Sequence, residues 1–375
     1  MTATTDRRPQ QPFSLPNPND LLKLAYQTFQ QGKGAFSLAH KQMNTRVLNA
    51  IKPLPQRNQS LPPEVFQLLQ RRMQTLLETD WQDVERGVYG PELVFENAWD
   101  EFLKFYPLVI WDGFQTWMRL SEKRFQEFSP SIDTNGYPKY YLQNFHYQTD
   151  GYLSDWSANL YDLQVELLFN GTADAMRRRV LASIAQGARA FPEVTGRDLR
   201  VLDVACGTGR TLRFIRSILP KAALFGLDLS PAYLRKANQM LSQQPGELPQ
   251  LAQGQGEALP YVDDYFHITT STFLFHELPG PVRSQVIQEL FRVTKPGGTV
   301  VLCDSIQAAD APELEPVLAG FPAAFHEPFY RHYITDDLVA YLDKAGFEQV
   351  ETSTHFLSKY WVARKPSDRP ENPEN

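Results

Sequence analysis

The sequence predicts an α/β fold whose mostly parallel sheet closes on an antiparallel pair, preceded by an all-helical N-terminal region. Strand, loop and helix alternate beyond residue 198, a glycine-rich turn follows the first of those strands, and before residue 150 apolar residues recur at helical spacing. At 375 residues the chain exceeds the usual span of one domain. The expected division is a flexible arm over 1–19, a helical domain over 20–150, an α/β domain over 151–366 and a disordered tail over 367–375.

The arm is expected from its Pro, Gln and Asn content. Asp20 reads as the cap of a helix through LLKLAYQTFQQ, and two further helices are expected in VFQLLQRRMQTLLETDW and FLKFYPLVIWDGFQTWMRLSEKRFQEF. Their apolar stripes are expected to pack on the α/β core or to cover its mouth. An aromatic connection, Tyr137 to Tyr147, leads into DGYLSDWSANLYDLQVELLFNGTADAMRRRVL, the junction and first helix of the second domain. Strands are then expected at LRVLDVA, AALFGLDL, FHITTST and GTVVLCDS, with helices at TLRFIRSIL, PAYLRKANQML and VRSQVIQELFRVT between them. Lys295 to Gly298 reads as a structural turn, and FEQVETSTHFLSKYWVARKP as the antiparallel pair.

Composition narrows the function. Hydrophobic residues at 42% and charged residues at 21% fit a globular core, and a net charge of −6 gives no basic footprint for nucleic acid. Cys206 and Cys303 are too few for a disulfide framework and lack zinc-site spacing, which fits a reducing cytoplasm. The first residues carry no apolar secretion segment, and no apolar run is long enough to cross a bilayer, so the expectation is a soluble protein with at most peripheral membrane contact.

In VLDVACGTGR a strand ends at Asp203 to Ala205, and Gly207 and Gly209 lead into a helix. Small residues there let the backbone approach a ligand, and the helix N-terminus favours an anionic group. A dinucleotide fingerprint would need a third glycine where Leu212 stands, which argues against a nicotinamide oxidoreductase. Asp228 ends the next strand, one βαβ unit on, where a carboxylate can accept both hydroxyls of a ribose. Taken alone it would be an ordinary helix cap before Ser230 and Pro231.

Together with GQGEALPYVDDYFH and TTSTFLFHELPGPVRSQVIQELFRVTKPGGTVVLCDS, these motifs resemble, over roughly residues 155 to 365, the class I S-adenosylmethionine (SAM) dependent methyltransferases. Within that class the likeness is to the type 11 group, which contains the quinone-biosynthesis C-methyltransferases. The resemblance implies a Rossmann-like sheet, SAM as cofactor and a methyltransferase domain at 151–366. It implies that Asp203, Ala205, Gly207 and Gly209 form the cofactor turn, with Ala205 where the family usually carries glycine; alanine fits if its φ stays negative. Asp228 would hold the ribose and Leu229 would pack on adenine. Gln255, in place of the usual Asp, and the Gly256 backbone would face the adenine amino group. Glu257 beside them is expected to be a solvated loop charge. Thr272 lies at the carboxyl end of a strand, and Tyr161 with Asp162 resembles the family's "YD" that closes over SAM.

Methyl transfer needs oriented reactants and a group to take up a proton, without a metal. His276 is the first candidate acceptor, equally readable as a packed residue. His326 and Tyr330, in FPAAFHEPFYRHYITDDL, are the others; this segment reads as a substrate lid rather than a metal site, because His326 and His332 lack ligand spacing, and any single residue of it reads first as part of a packed aromatic loop. The aromatic surroundings favour a small acceptor such as a quinol or phenol. The alternative is a SAM-binding protein without transferase activity, whose helical N-terminal domain binds a partner.

Overall fold

A computed structural model describes residues 17–52, 61–96 and 101–367. Most of the expected arm, up to residue 16, and the expected tail from 368 lie outside the described residues.

Helix α1, Pro18–Ile51, is capped by the Asn17 side chain, which accepts from the Asn19 N–H at 3.2 Å, with Pro18 in its first turn. Asp20 therefore sits inside the first turn rather than capping it. The helix runs past the expected segment and through Gly32 and Gly34, because Tyr26, Gln30, Lys33, Ser37 and His40 keep one continuous buried face. Next come α2 (Pro63–Glu85), α3 (Glu92–Phe95) and α4 (Phe102–Glu122). Lys123, at φ 54°, stops α4, so RFQEF is not helical as expected. The single lead-in helix is three: α5 (Asp155–Leu168), α6 (Ala173–Arg178) and α7 (Val180–Arg189), with Asn170 and Gly171 at positive φ breaking the first from the second.

The α/β part follows as β1 (Arg200–Val204), α8 (Arg210–Ile218), β2 (Ala223–Asp228), α9 (Pro231–Leu241), β3 (Gln250–Gln253), β4 (Phe266–Thr272), α10 (Gly280–Val293) and β5 (Thr294–Ser305). It ends with α11 (Glu315–Ala324), α12 (Tyr330–Tyr333), α13 (Leu338–Ala345), β6 (Glu348–His355) and β7 (Ser358–Arg364). The strand order is β3-β2-β1-β4-β5-β7-β6, with β7 antiparallel to both neighbours and the other pairs parallel. The segment Lys295–Gly298 is not a turn ahead of β5 but a bulge within it, since pairing jumps from Phe266–Thr294 to Ile268–Thr299.

Alternation along the strands divides the core. Leu202, Val204, Val300 and Leu302 face α10 and α13 residues such as Val286 and Leu342. Val201, Ile268, Val301 and Cys303 face the opposite layer, where α7 residues Leu181 and Ile184 meet Tyr26 and Trp81 from α1 and α2. The N-terminal helices thus share apolar packing with the sheet. A buried ion pair helps to fasten them: Arg178 grips Asp80 with two bonds, 2.9 Å from Nε and 2.6 Å from Nη2, and the Tyr26 and Tyr89 hydroxyls donate to the same carboxylate at 2.6 and 2.7 Å. Both charges are buried. Among the described residues, no helix is long and apolar enough to cross a membrane.

At the end of β1 the chain turns sharply, with Ala205 at φ 59° and Gly207 at φ 54°. The expectation of negative φ at Ala205 is corrected here. A Cβ in this region crowds the following carbonyl and costs about 1–2 kcal/mol, strain that the surrounding turn must hold in place.

Two stability outcomes follow. Asp80→Ala leaves the Arg178 guanidinium buried without its partner and is expected to cost about 3–5 kcal/mol in urea unfolding; a loss under 1 kcal/mol would show that the pair is not what fastens the helices. Ala205→Gly is expected to raise stability by up to about 1 kcal/mol, strain relief being partly offset by a more flexible unfolded chain. A destabilised glycine variant would refute the strain.

Candidate functional site

β1 runs between β2 and β4, so the chain leaves the sheet in opposite directions on its two sides, and a crevice opens beyond the carboxyl ends of these strands. A cavity of about 110 Å³ occupies it. Its floor is Val204, Ala205 and Gly207 after β1, and Leu227, Asp228 and Leu229 after β2. One wall is Gly254 to Glu257 and the other Thr272 to Leu274, while Tyr140, Tyr141, Tyr152 and Tyr161 close over it from the segment that precedes the sheet.

Asp228 is nearly buried, and its carboxylate accepts the Gly207 N–H on Oδ2 and the Ser230 N–H on Oδ1, each at 2.8 Å. Burial still outweighs those bonds and lifts its pKa to about 6. The cap of α9 is Ser230, whose hydroxyl accepts the Tyr233 N–H at 3.2 Å, so Asp228 is not the helix cap it could be taken for alone; it holds that cap's N–H and faces the cavity. Leu229, Gln255, Gly256, Thr272 and Tyr161 all line the cavity where the sequence placed them. The Thr272 hydroxyl is buried without a hydrogen-bond partner. A side chain at Gly207 would meet nothing closer than Tyr233 at 4.0 Å, so its backbone borders open space.

Two expected cofactor residues lie elsewhere. Gly209 does not line the cavity: a Cβ there would come within 3.0 Å of Ala237 and Leu241, so its smallness lets α8 pack on α9. Asp203 is buried behind the floor, neither carboxylate oxygen has a hydrogen-bond partner, and burial with the nearby Asp228 charge pushes its pKa well up. Glu257 is not a free loop charge. It lines the cavity and accepts the Tyr140 hydroxyl at 2.5 Å.

The three expected proton acceptors fare differently from one another, and none lines this cavity. His276 Nδ1 lies 2.6 Å from Asp304 Oδ1. Burial alone would lower its pKa, but Asp304, with Glu327 and Glu277, more than compensates and raises it to about 10. A histidine already protonated at neutral pH cannot take up a proton, so the acceptor reading of His276 is corrected. Tyr330 is buried, bonded to the Ser305 hydroxyl at 2.8 Å, and its pKa is raised by burial. His326 stacks on Phe125 at 4.2 Å, its Nε2 sits 2.8 Å from Gln143 Oε1, and burial lowers its pKa.

The sequence missed the group that does reach the cavity. Glu277 lines it next to Tyr152, whose hydroxyl donates to the Glu277 carboxylate. Burial and the charge of Glu327 lift the Glu277 pKa to about 7, against the pull of His276 and His146. His146, Glu277 and Glu327 bring one ligand-type atom each within 4.8 Å of one another. His146 Nε2 is 2.5 Å from Glu327 Oε1, and Glu327 overcomes the effect of burial to raise the imidazole pKa. A cluster of this type can hold a cation, and the Glu327 carboxylate beside His146 also favours a proton on the imidazole in that place. The expectation of no metal weighed His326 and His332, whereas Glu327 meets His146 instead. Only the neighbouring His-Glu pairs at 276–277 and 326–327 hinted at it in the sequence.

Residues 201–298 match a family model described as a methyltransferase domain. A demethylmenaquinone methyltransferase of Lactiplantibacillus plantarum is 30% identical over 218 residues, covering 53% of this chain and 87% of that enzyme. An arsenite methyltransferase of Halobacterium salinarum is 28% identical over 199 residues, 48% of each chain. A demethylmenaquinone methyltransferase of Lactobacillus johnsonii is 30% identical over 149 residues, 39% of this chain and 57% of that one. The chain therefore spans about half the length of the latter two. The buried Thr272 hydroxyl and the open backbone at Gly207 are consistent with a bound adenosyl group. With its identity to the L. plantarum enzyme extending over most of that protein, the chain belongs to the class I SAM-dependent methyltransferases.

Proposed function

We propose that this methyltransferase acts on a small aromatic or quinol-like acceptor, with residues 151–366 as the methyltransferase unit and 20–150 as a helical unit that completes the site. The observation that carries the reading is one cavity at the strand crossover that joins a buried ribose-type carboxylate, Asp228, to an aromatic wall and a carboxyl of near-neutral pKa, Glu277. Bound SAM supplies an electrophilic methyl on a sulfonium. Asp228 accepts the ribose hydroxyls, Leu229 packs on the adenine, and the Gln255 amide and Gly256 N–H border its edge. Tyr152 and Tyr161 exclude water at the opposite end. Glu277, held in place by the Tyr152 hydroxyl, would take up the acceptor's proton.

The named relatives suggest two acceptor chemistries, quinol and arsenite. Arsenic(III) calls for soft thiolate ligands. Cys206 and Cys303 are the only cysteines in the chain; both are buried, and burial raises both thiol pKa values, so the quinol-type acceptor fits better. The aromatic wall favours the same choice.

Asp228→Ala is expected to weaken SAM binding by about 1.5–3 kcal/mol in calorimetry, as two hydrogen bonds to a charged acceptor are lost; an unchanged Kd removes Asp228 from the ribose role. Glu277 must be ionised to accept a proton, so turnover should be low at pH 6, rise through pH 7 and level off above it. Glu277→Gln should lower turnover by about 10²–10⁴-fold and flatten that profile. A variant that keeps the wild-type pH dependence would place the acceptor elsewhere.

A further inference from the structure

A second cavity, of about 290 Å³, lies between α1, α4 and α5, with Phe325 at its edge. It is lined mainly by helices rather than by the sheet. Its walls include Val109, Val165, Leu167 and Phe325. The polar side chains on it largely have protein partners. Lys41 Nζ donates to the Leu168 carbonyl at 2.8 Å and to Asn170 Oδ1 at 2.7 Å, His40 Nδ1 pairs with the Tyr106 hydroxyl at 3.1 Å, and Gln164 donates to Asp112 at 2.8 Å. What remains open to a ligand is largely apolar.

Two features join this cavity to the first. Tyr161 lines both. His146 lines the second, Glu277 lines the first, and their ligand-type atoms meet, with that of Glu327, inside 4.8 Å. The junction is polar and incompletely satisfied: Glu327 is buried, and neither of its oxygens makes a well-directed hydrogen bond. An apolar chamber thus ends in a polar cluster at the edge of the cofactor cavity. The chamber near His276 and Tyr330, about 60 Å³, is too small for the same task. A dry cavity of about 150 Å³ is enough to take up benzene, so the chamber of about 290 Å³ has room for a ring system.

Resting on the methyltransferase reading above, we propose that this second cavity is the acceptor site. Its ligand is a hydroxylated aromatic of one or two rings, with the ring among Val109, Val165 and Phe325 and the hydroxyl at the His146–Glu277–Glu327 cluster. The N-terminal helices then determine which acceptor enters, and the sheet determines which donor does. Hydroxyl and proton acceptor meet at Glu277, which links this chamber to the transfer step.

Gly113 on α4 lines the cavity, and a Cβ there would meet nothing closer than Asn44 Nδ2 at 3.6 Å. Gly113→Leu therefore fills the chamber while improving helix propensity. The probe is 1,4-dihydroxynaphthalene, kept reduced without oxygen and titrated into full-length protein saturated with S-adenosylhomocysteine, with SAM titrated separately. The expected result is binding to the wild type, at least tenfold weaker binding to Gly113→Leu, an unchanged SAM Kd and a melting temperature no lower in the variant. Naphthalenediol binding that is equal in both proteins, or absent from the wild type while SAM still binds, overturns the acceptor site and leaves the methyltransferase reading standing. Failure of the wild type to bind SAM overturns both.

Discussion

The site exists because β1 is flanked by β2 on one side and β4 on the other. Parallel strands need crossover helices, and where successive crossovers go to opposite sides of the sheet, the loops beyond the strand ends part and leave a crevice. The floor and walls of that crevice hang from this geometry: the strained bend at Ala205, the carboxylate at Asp228, the Gln255–Gly256 loop and Thr272. The bend is costly for an alanine, and the neighbouring hydrogen bond from the Gly207 N–H to Asp228 helps to hold it.

Two sets of acids contrast in how their charge is met. Asp80 and Asp174 each face an arginine fork, Arg178 and Arg210, and serve to fasten helices; the guanidinium of Arg210, with Arg177 and Arg178, overrides burial and holds the Asp174 carboxyl well below its usual range. Asp203, Asp228 and Glu277 have no such fork, and burial raises all three. Groups held away from their ordinary pKa around a crevice are the ones available to a ligand, and two of these three border the cavity. The same contrast explains why His276 is unsuited to accept a proton: Asp304 keeps it charged.

The sheet was legible because period-two strands and period-3.6 helices alternate visibly after residue 198, and the closing antiparallel pair reads from one short turn. Leu229, Gln255, Gly256 and Thr272 were legible through motif spacing, since they lie at or just beyond strand ends, whereas Tyr161, inside α5, was legible only through its neighbour Asp162 in a two-residue motif. Backbone sign at Ala205 was not, because a residue's identity does not reveal its φ. Gly209 reads the same whether it admits a ligand or a neighbouring helix, and only Ala237 at 3.0 Å decides. The cluster of His146, Glu277 and Glu327 was hidden because its members come from three distant segments, and no local period marks them. Helix α1 ran long for a related reason: the burial of its face by tertiary packing outweighs two glycines.

Each role given to the crevice depends on how the donor lies in it. A crystal structure with S-adenosylhomocysteine should show the ribose hydroxyls on Asp228, the adenine between Leu229 and Gly256, and the sulfur turned toward Tyr161 and Glu277. Density that places the nucleoside outside this crevice, or reverses it so that the sulfur points away from Glu277, would contradict the account.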